Sequence, residues 1–242
     1  MVFSREVLVC IPAFNEGESI QCVLAALFAC AFPFTFDVLV VDDGSVDDTA
    51  QVCRAFPVVV VSHAGNFGYG AALKTAYKYA AAHSYQYVLQ MDADGQHSAD
   101  SLPALYAALQ RGADIVVGSR FLQDNPQFPT PWPKRAAVWF FRGLVRVAAR
   151  LRISDPTSGL QGLSRRAFVY YTQRNRFAMD FPDANMLVQM ALNGFVVTEV
   201  AVCMFKRKAG QSMFVGWWRP AKYMLVMTYS LLVVWVRAKW CK

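Results

Sequence analysis

Short apolar runs separated by helical stretches constrain this chain more than any other feature. Val7–Ile11, Asp37–Val41, Val58–Ser62, Tyr87–Met91 and Asp114–Gly118 read as strands. Between them, Glu18–Cys30, Asp47–Ala55, Tyr69–Ala82 and Ala99–Gln110 read as helices. Strands that alternate with helices form βαβ units, and right-handed crossovers then give a mostly parallel sheet. Interiors such as VLVV and VVVV are apolar throughout, as a sheet covered on both faces requires. The fold class expected is therefore α/β, with a Rossmann-like central sheet.

Open parallel sheets bind ligands at the carboxyl ends of their strands, and polar clusters fall there repeatedly. Pro12-Ala13-Phe14-Asn15-Glu16 follows the first strand, Asp42-Asp43-Gly44-Ser45 the second, Asp92-Ala93-Asp94-Gly95-Gln96 a later one, and Gly118-Ser119-Arg120 the next. Asp47 and Asp48 read as helix caps. Two carboxylates one residue apart, Asp92 and Asp94, can both approach a hard divalent cation such as Mg²⁺ or Mn²⁺, with Gln96 as a neutral oxygen donor. Such an ion would neutralise a diphosphate leaving group. His63 reads as a loop residue and His97 as a neighbour of that site. Gly65, Gly68 and Gly70 lack the Gly-Lys-Ser/Thr ending of an NTPase loop.

After residue 121 the regularity fades. A Pro-rich loop leads into Lys134–Arg152, an acid-free stretch in which Arg142, Arg146 and Arg150 share a helical face opposite Phe141, Leu144, Val145, Ala148 and Leu151. Two readings stand: a helix on the sheet with a solvated basic face, or a helix on an anionic membrane. Residues 223–236 are uncharged, and a helix of that length covers about 21 Å, short of a bilayer core. Trp217, Trp218, Trp235 and Trp240 flank it, as interfacial aromatics do. An interfacial helix, a short span and a core or partner-facing helix remain open there. No acid follows Glu199 while eight Lys and Arg do, and the net charge is +7. Phosphates and lipid headgroups are the anionic partners expected; nucleic acid is not, because long apolar runs interrupt the basic segments. Six cysteines without a CxxC pair read as reduced core thiols of a cytosolic protein, and Val7–Pro12 is too short for a signal peptide.

In order, the chain shows IPAFNE, VVDDGSVDDT, GNFGYGAALKTA, QMDADGQH, GSR and DPTSGLQG. Together these resemble family 2 glycosyltransferases of the GT-A fold, and more narrowly the polyprenyl-phosphate glycosyltransferases. The resemblance covers about residues 5–215. It implies a catalytic unit over 1–215, and the acid-free, apolar stretch over 216–242 is expected to be a membrane-associating helix. The resemblance implies inverting transfer of a sugar from a UDP- or GDP-sugar to polyprenyl phosphate at the cytoplasmic face of a membrane, with an integral-membrane partner left open. By the same resemblance Pro12, Ala13, Phe14 and Glu16 cradle the nucleotide, Asp42 or Asp43 contacts base or ribose, and Asp92 and Ala93 belong to the donor site. Asp92, Asp94 and Gln96 hold the metal. Arg120 points to the acceptor phosphate; Arg135 and Lys134 stand in a basic segment that here lacks the usual Ser, and Arg207 of KRKAGQS joins them. Asp180 and Asp183 sit where related transferases place a base for a hydroxyl acceptor. A cap of a helix over Ala184–Leu192 is the other reading of Asp183.

Overall fold

In the computed structural model, residues 6–123, 132–205 and 218–240 are described, apart from the side chains of Pro133 and Arg219. Seven strands form one sheet: β1 (Val7–Ala13), β2 (Phe36–Asp42), β3 (Val59–Ser62), β4 (Tyr87–Gln90), β5 (Ile115–Ser119), β6 (Gln161–Ser164) and β7 (Val197–Ala201). Their order is β3-β2-β1-β4-β6-β5-β7, and only β6 runs antiparallel to its neighbours. The mostly parallel α/β sheet expected from the sequence is present, with β6 and β7 added from the part whose pattern had faded.

β1 is buried along its whole length because helices cover both faces. Val7, Val9, Ile11 and Ala13 pack toward α1 (Gly17–Ala29) and α4 (Leu102–Gln110). Leu8 and Cys10 point the other way, toward α3 (Tyr69–Ala82), α6 (Arg165–Thr172) and α7 (Ala184–Leu192). The two-residue period of the strand produces both layers. The helix expected over Asp47–Ala55 is only Thr49–Cys53 (α2). Of the five described cysteines, all free, only Cys10 and Cys53 are buried; Cys22 and Cys203 are exposed, which corrects the reading of core thiols.

A third apolar cluster lies apart from the sheet. Phe141 and Val145 of α5 (Trp132–Ala149) meet Ala184 and Val188 of α7, and Tyr223, Met227 and Leu231 of α8 (Trp218–Trp240). The basic helix thus packs on two other helices, and the expectation of packing on the sheet is corrected. Nor is its basic face wholly solvated: Arg142 donates through Nε to the Ser154 carbonyl and lies 5.0 Å from the Phe121 ring centroid. α8 is 23 residues long, so it extends beyond the apolar run on both sides. Pro220–Trp240 is long and apolar enough to cross a membrane by length and composition, with 17% of its apolar window buried.

Candidate active site

Strand register brings the polar clusters to one sheet edge. Ala13 pairs with Asp42 and Cys10 with Gln90, so Asp92 comes level with Pro12. The order β2-β1-β4 makes the gap beside β1 the switch point where open sheets bind ligands.

The first two loops lock each other. The Asn15 N–H donates to Ser45 Oγ and the Val46 N–H to Asn15 Oδ1, both at 2.9 Å. Glu16 starts α1, donates its N–H to Thr49 Oγ1, and accepts from Ser19 Oγ at 2.6 Å. Asp47 accepts from the N–H groups of both Thr49 and Gly17, so it ties the starts of α1 and α2, whereas Asp48 holds the N-cap position without a side-chain cap bond. A Cβ on Gly44 (φ +74°) would lie 2.4 Å from the Gly65 carbonyl carbon, so the Asp-Asp-Gly turn needs its glycine.

Asp42 and Asp43 are both buried. Asp42 accepts from the Ser45 N–H at 3.1 Å. Asp43 accepts from the Phe67 and Gly68 N–H groups at 3.0 and 2.7 Å and lies 2.6 Å from His63 Nδ1. His63 Nε2 lies 2.9 Å from Thr75 Oγ1, so the residue taken for a plain loop histidine joins the second-strand turn to α3.

Beyond β4, a buried relay holds Asp92. Tyr77 donates to Gln90 Oε1 at 2.7 Å, Gln90 Nε2 donates to Tyr69 Oη at 3.0 Å, and Tyr69 donates to Asp92 Oδ1 at 2.9 Å. The Asp92 N–H donates to His97 Nδ1 at 3.3 Å, which leaves the ring proton on Nε2, 3.7 Å from Asp92 Oδ2. Burial lowers the His97 pKa to about 4, so the ring is neutral at pH 7. Asp94 Oδ1 accepts from the Gln96 N–H at 3.0 Å. Ala93 is buried between the two acids. Gly159, in the DPTSGLQG motif, gives Asp92 its room: a Cβ there would lie 2.5 Å from Asp92 Oδ2.

Asp92, Asp94 and Gln96 supply oxygen donors, which fit Mg²⁺ or Mn²⁺. Among the described residues no group of three or more His, Cys, Asp and Glu converges as a metal cage. A set of two carboxylates still fits an ion completed by substrate phosphates and water, the usual arrangement for Mg²⁺.

On the far side of the edge stands an ion pair the sequence reading did not assign. Arg120 Nε and Nη2 donate to Asp155 Oδ2 and Oδ1 at 2.5 and 2.6 Å, and Asp155 has no exposed surface. The bidentate fork expected to meet a phosphate is thus occupied by a carboxylate of this chain. The DPTSGLQG motif carried the signal, but its Asp-Pro-Thr-Ser reads equally as a turn. Lys134 and Arg135 are exposed in the first turn of α5. Arg207, with Gly210 and Ser212, lies outside the described residues.

Asp183 sits at the N-cap position of α7, yet its side chain caps nothing. Instead Oδ2 accepts from Tyr223 Oη at 3.0 Å. Asp183 keeps some solvent contact, but its carboxyl is crowded enough that burial pushes its pKa up to about 7; Tyr223 opposes the rise and Asp92 and Asp155 add to it. Among the described residues Asp180 makes no side-chain hydrogen bond, and it precedes Phe181, a bulky residue with φ +48°.

A mostly parallel sheet with acidic turns at its carboxyl edge and helices stacked beside it is the architecture of the GT-A fold. Residues 8–171 match the glycosyl transferase family 2 model, and the chain belongs to that family. It is 28% identical to a polyprenol monophosphomannose synthase of Mycolicibacterium smegmatis, over 88% of this chain and 82% of that one. It is 30% identical to an undecaprenyl-phosphate mannosyltransferase of Micrococcus luteus, over 87% and 88% respectively. The fold superposes with a TM-score of 0.69 on the glucosyl-3-phosphoglycerate synthase of Mycobacterium tuberculosis, solved with Mn²⁺, UDP and phosphoglyceric acid. That match has 19% identity and covers 96% of this chain and 78% of that one.

Proposed function

We propose that this chain transfers a sugar, with inversion, from a UDP- or GDP-sugar to polyprenyl phosphate at the cytoplasmic surface of a membrane. The observation that carries the reading is Asp92 and Asp94 at the switch-point edge beside a helical layer that holds no acid on α5 or α8. The similarity to two enzymes whose names specify polyprenyl phosphates supports the acceptor class.

In this reading Pro12, Ala13, Phe14 and Glu16 line the nucleotide. Asp42 meets base or ribose more readily than Asp43, whose oxygens already serve three protein donors. Asp92, Asp94 and Gln96 hold Mg²⁺ or Mn²⁺, whose charge offsets the diphosphate that leaves. An acceptor phosphate oxygen forms the new bond to the anomeric carbon as the bond to the diphosphate breaks, and the nucleoside diphosphate departs. Positioning and electrostatics supply most of the acceleration. Lys134, Arg135 and Arg207 supply the positive charge on the acceptor side, where Arg120 is held by Asp155. Asp183, near neutrality in pKa, can take the proton of a monoanionic phosphate, whose second pKa is about 6.

The helical layer supports membrane seating. On α5, Ala136, Trp139, Phe140, Gly143 and Val147 are exposed on the face opposite Val138, Phe141 and Val145. On α8, Leu225, Tyr229, Leu232, Val236 and Trp240 repeat at three and four residues along the exposed side. Arginines and lysines flank both stripes, which suits an anionic lipid surface. The division into a catalytic unit over 1–215 and a membrane-associating segment over 216–242 belongs to this reading.

Asp183 also favours a second reading, a hydroxyl acceptor with Asp183 or Asp180 as base. GDP-mannose and UDP-glucose, each offered with and without Mn²⁺ to a short polyprenyl phosphate, test the first reading: label in an organic-extractable, acid-labile product supports it. Label only in water-soluble products would overturn it. An Asp183→Asn variant that binds donor but transfers nothing to a hydroxyl acceptor would support the second.

A further inference from the structure

Beside its exposed stripe, α8 carries a polar group that reaches Asp183. Tyr223 Oη donates to Asp183 Oδ2 at 3.0 Å, and the Tyr223 ring is almost fully buried. It stands edge-on to Phe181 of the 180–183 loop (5.0 Å between centroids, 90°) and to Phe141 of α5 (5.8 Å, 80°). Phe181 is held at φ +48°, a conformation costly for a bulky side chain and sustained only where its surroundings enforce it. The Asp183 N–H is bonded to Phe181 O and Asn185 Oδ1. Backbone, strained neighbour and carboxylate are therefore all fixed, and Tyr223 is the α8 side chain that meets both of the last two. Asp183 and Tyr223 also lie beyond residue 171, outside the family match.

We infer that Tyr223 is a positioning residue: α8 sets the orientation of the Asp183 carboxylate from outside the sheet, so the C-terminal helix belongs to the reaction centre as well as to the membrane face. The inference rests on the transferase reading for its consequence in rate, and on geometry alone for the coupling.

A second contact between the same helices supplies the control. Asn185 Nδ2 donates to Ser230 Oγ at 2.8 Å, nearly two α8 turns from Tyr223, without touching the Asp183 side chain. Tyr223→Phe, which deletes one hydroxyl, should lower kcat by roughly ten- to a hundredfold, the worth of a hydrogen bond to a charged group, and leave the donor KM unchanged. Ser230→Ala, which removes a half-buried contact between the same helices but leaves the Asp183 carboxyl and its Tyr223 bond in place, should leave kcat close to wild type. Equal losses in the two variants, or a donor KM that rises with the loss in kcat, would overturn the inference and leave α8 a docking element only. The assay uses the full chain with GDP-mannose and UDP-glucose, Mn²⁺ and a polyprenyl phosphate. Should wild type move sugar from neither donor, the transferase reading falls, and the coupling is read from thermal unfolding instead. Tyr223→Phe then lowers stability in the wild-type background and not beside Asp183→Ala; equal costs in both backgrounds would overturn it.

Discussion

Asp155 and Arg120 show how much of this site depends on single buried charges. With both side chains removed from solvent, loss of one leaves the other uncompensated, at a cost of about 3–5 kcal/mol. Asp155→Ala should lower the unfolding free energy by about that amount in urea titrations; a loss under about 1 kcal/mol would mean that solvent reaches Arg120. Gly159 acts by what it lacks. Gly159→Ala puts a Cβ where Asp92 Oδ2 lies, so the carboxylate must turn away. Transfer should fall more than about tenfold while stability drops by the 1–3 kcal/mol typical of overpacking. Asp183 should leave a pH signature. Its carboxyl titrates at about 7 folded and at 3.8 in the ordinary state, so between those values the folded chain holds a proton that the unfolded chain has lost. Stability from this group is therefore full below pH 4, falls as pH rises to 7, and is flat above. Melting temperatures from pH 4 to 8 should show that decline in wild type and lack it in Asp183→Asn.

Elements divide by how their order arises. α3 was legible to the residue, Tyr69–Ala82, because a 14-residue amphipathic run carries its own period. β6 was not legible: Gln-Gly-Leu-Ser has little strand propensity, and it exists because β4 and β5 offer edges on both sides. β7 is half-exposed and, among the described residues, pairs with β5 alone, so its apolar signal is weak. Among site residues, Asp92, Asp94 and Arg120 stand at strand ends and could be read from local pattern. Asp155 could not, because its partner lies 35 residues earlier and periodicity says nothing of pairing at that range. Tyr223 was hidden in a run that reads as purely apolar. On α5 and α8 the exposed stripes predict a separable effect: Val147→Glu or Leu232→Glu should weaken binding to phosphatidylglycerol vesicles at least tenfold. Melting temperatures should hardly change, since both side chains are exposed. Unchanged vesicle binding would remove this face from the membrane contact.

At the scale of the molecule, the sheet edge, the buried Arg120–Asp155 pair and the helical layer form one arrangement. In the proposed reading the sheet places the donor loops, and the layer, through Tyr223 and the first turn of α5, stands on the acceptor side. A membrane seated on α5 and α8 would bring a lipid phosphate to the same edge as the diphosphate. The most direct measurement offers the full chain a radiolabelled nucleotide sugar with Mn²⁺ and, in competition, polyprenyl phosphate and the corresponding polyprenol. Label confined to an acid-labile polyprenyl phosphate product is the expected result. Label on the polyprenol, or only on water-soluble acceptors, would contradict the account.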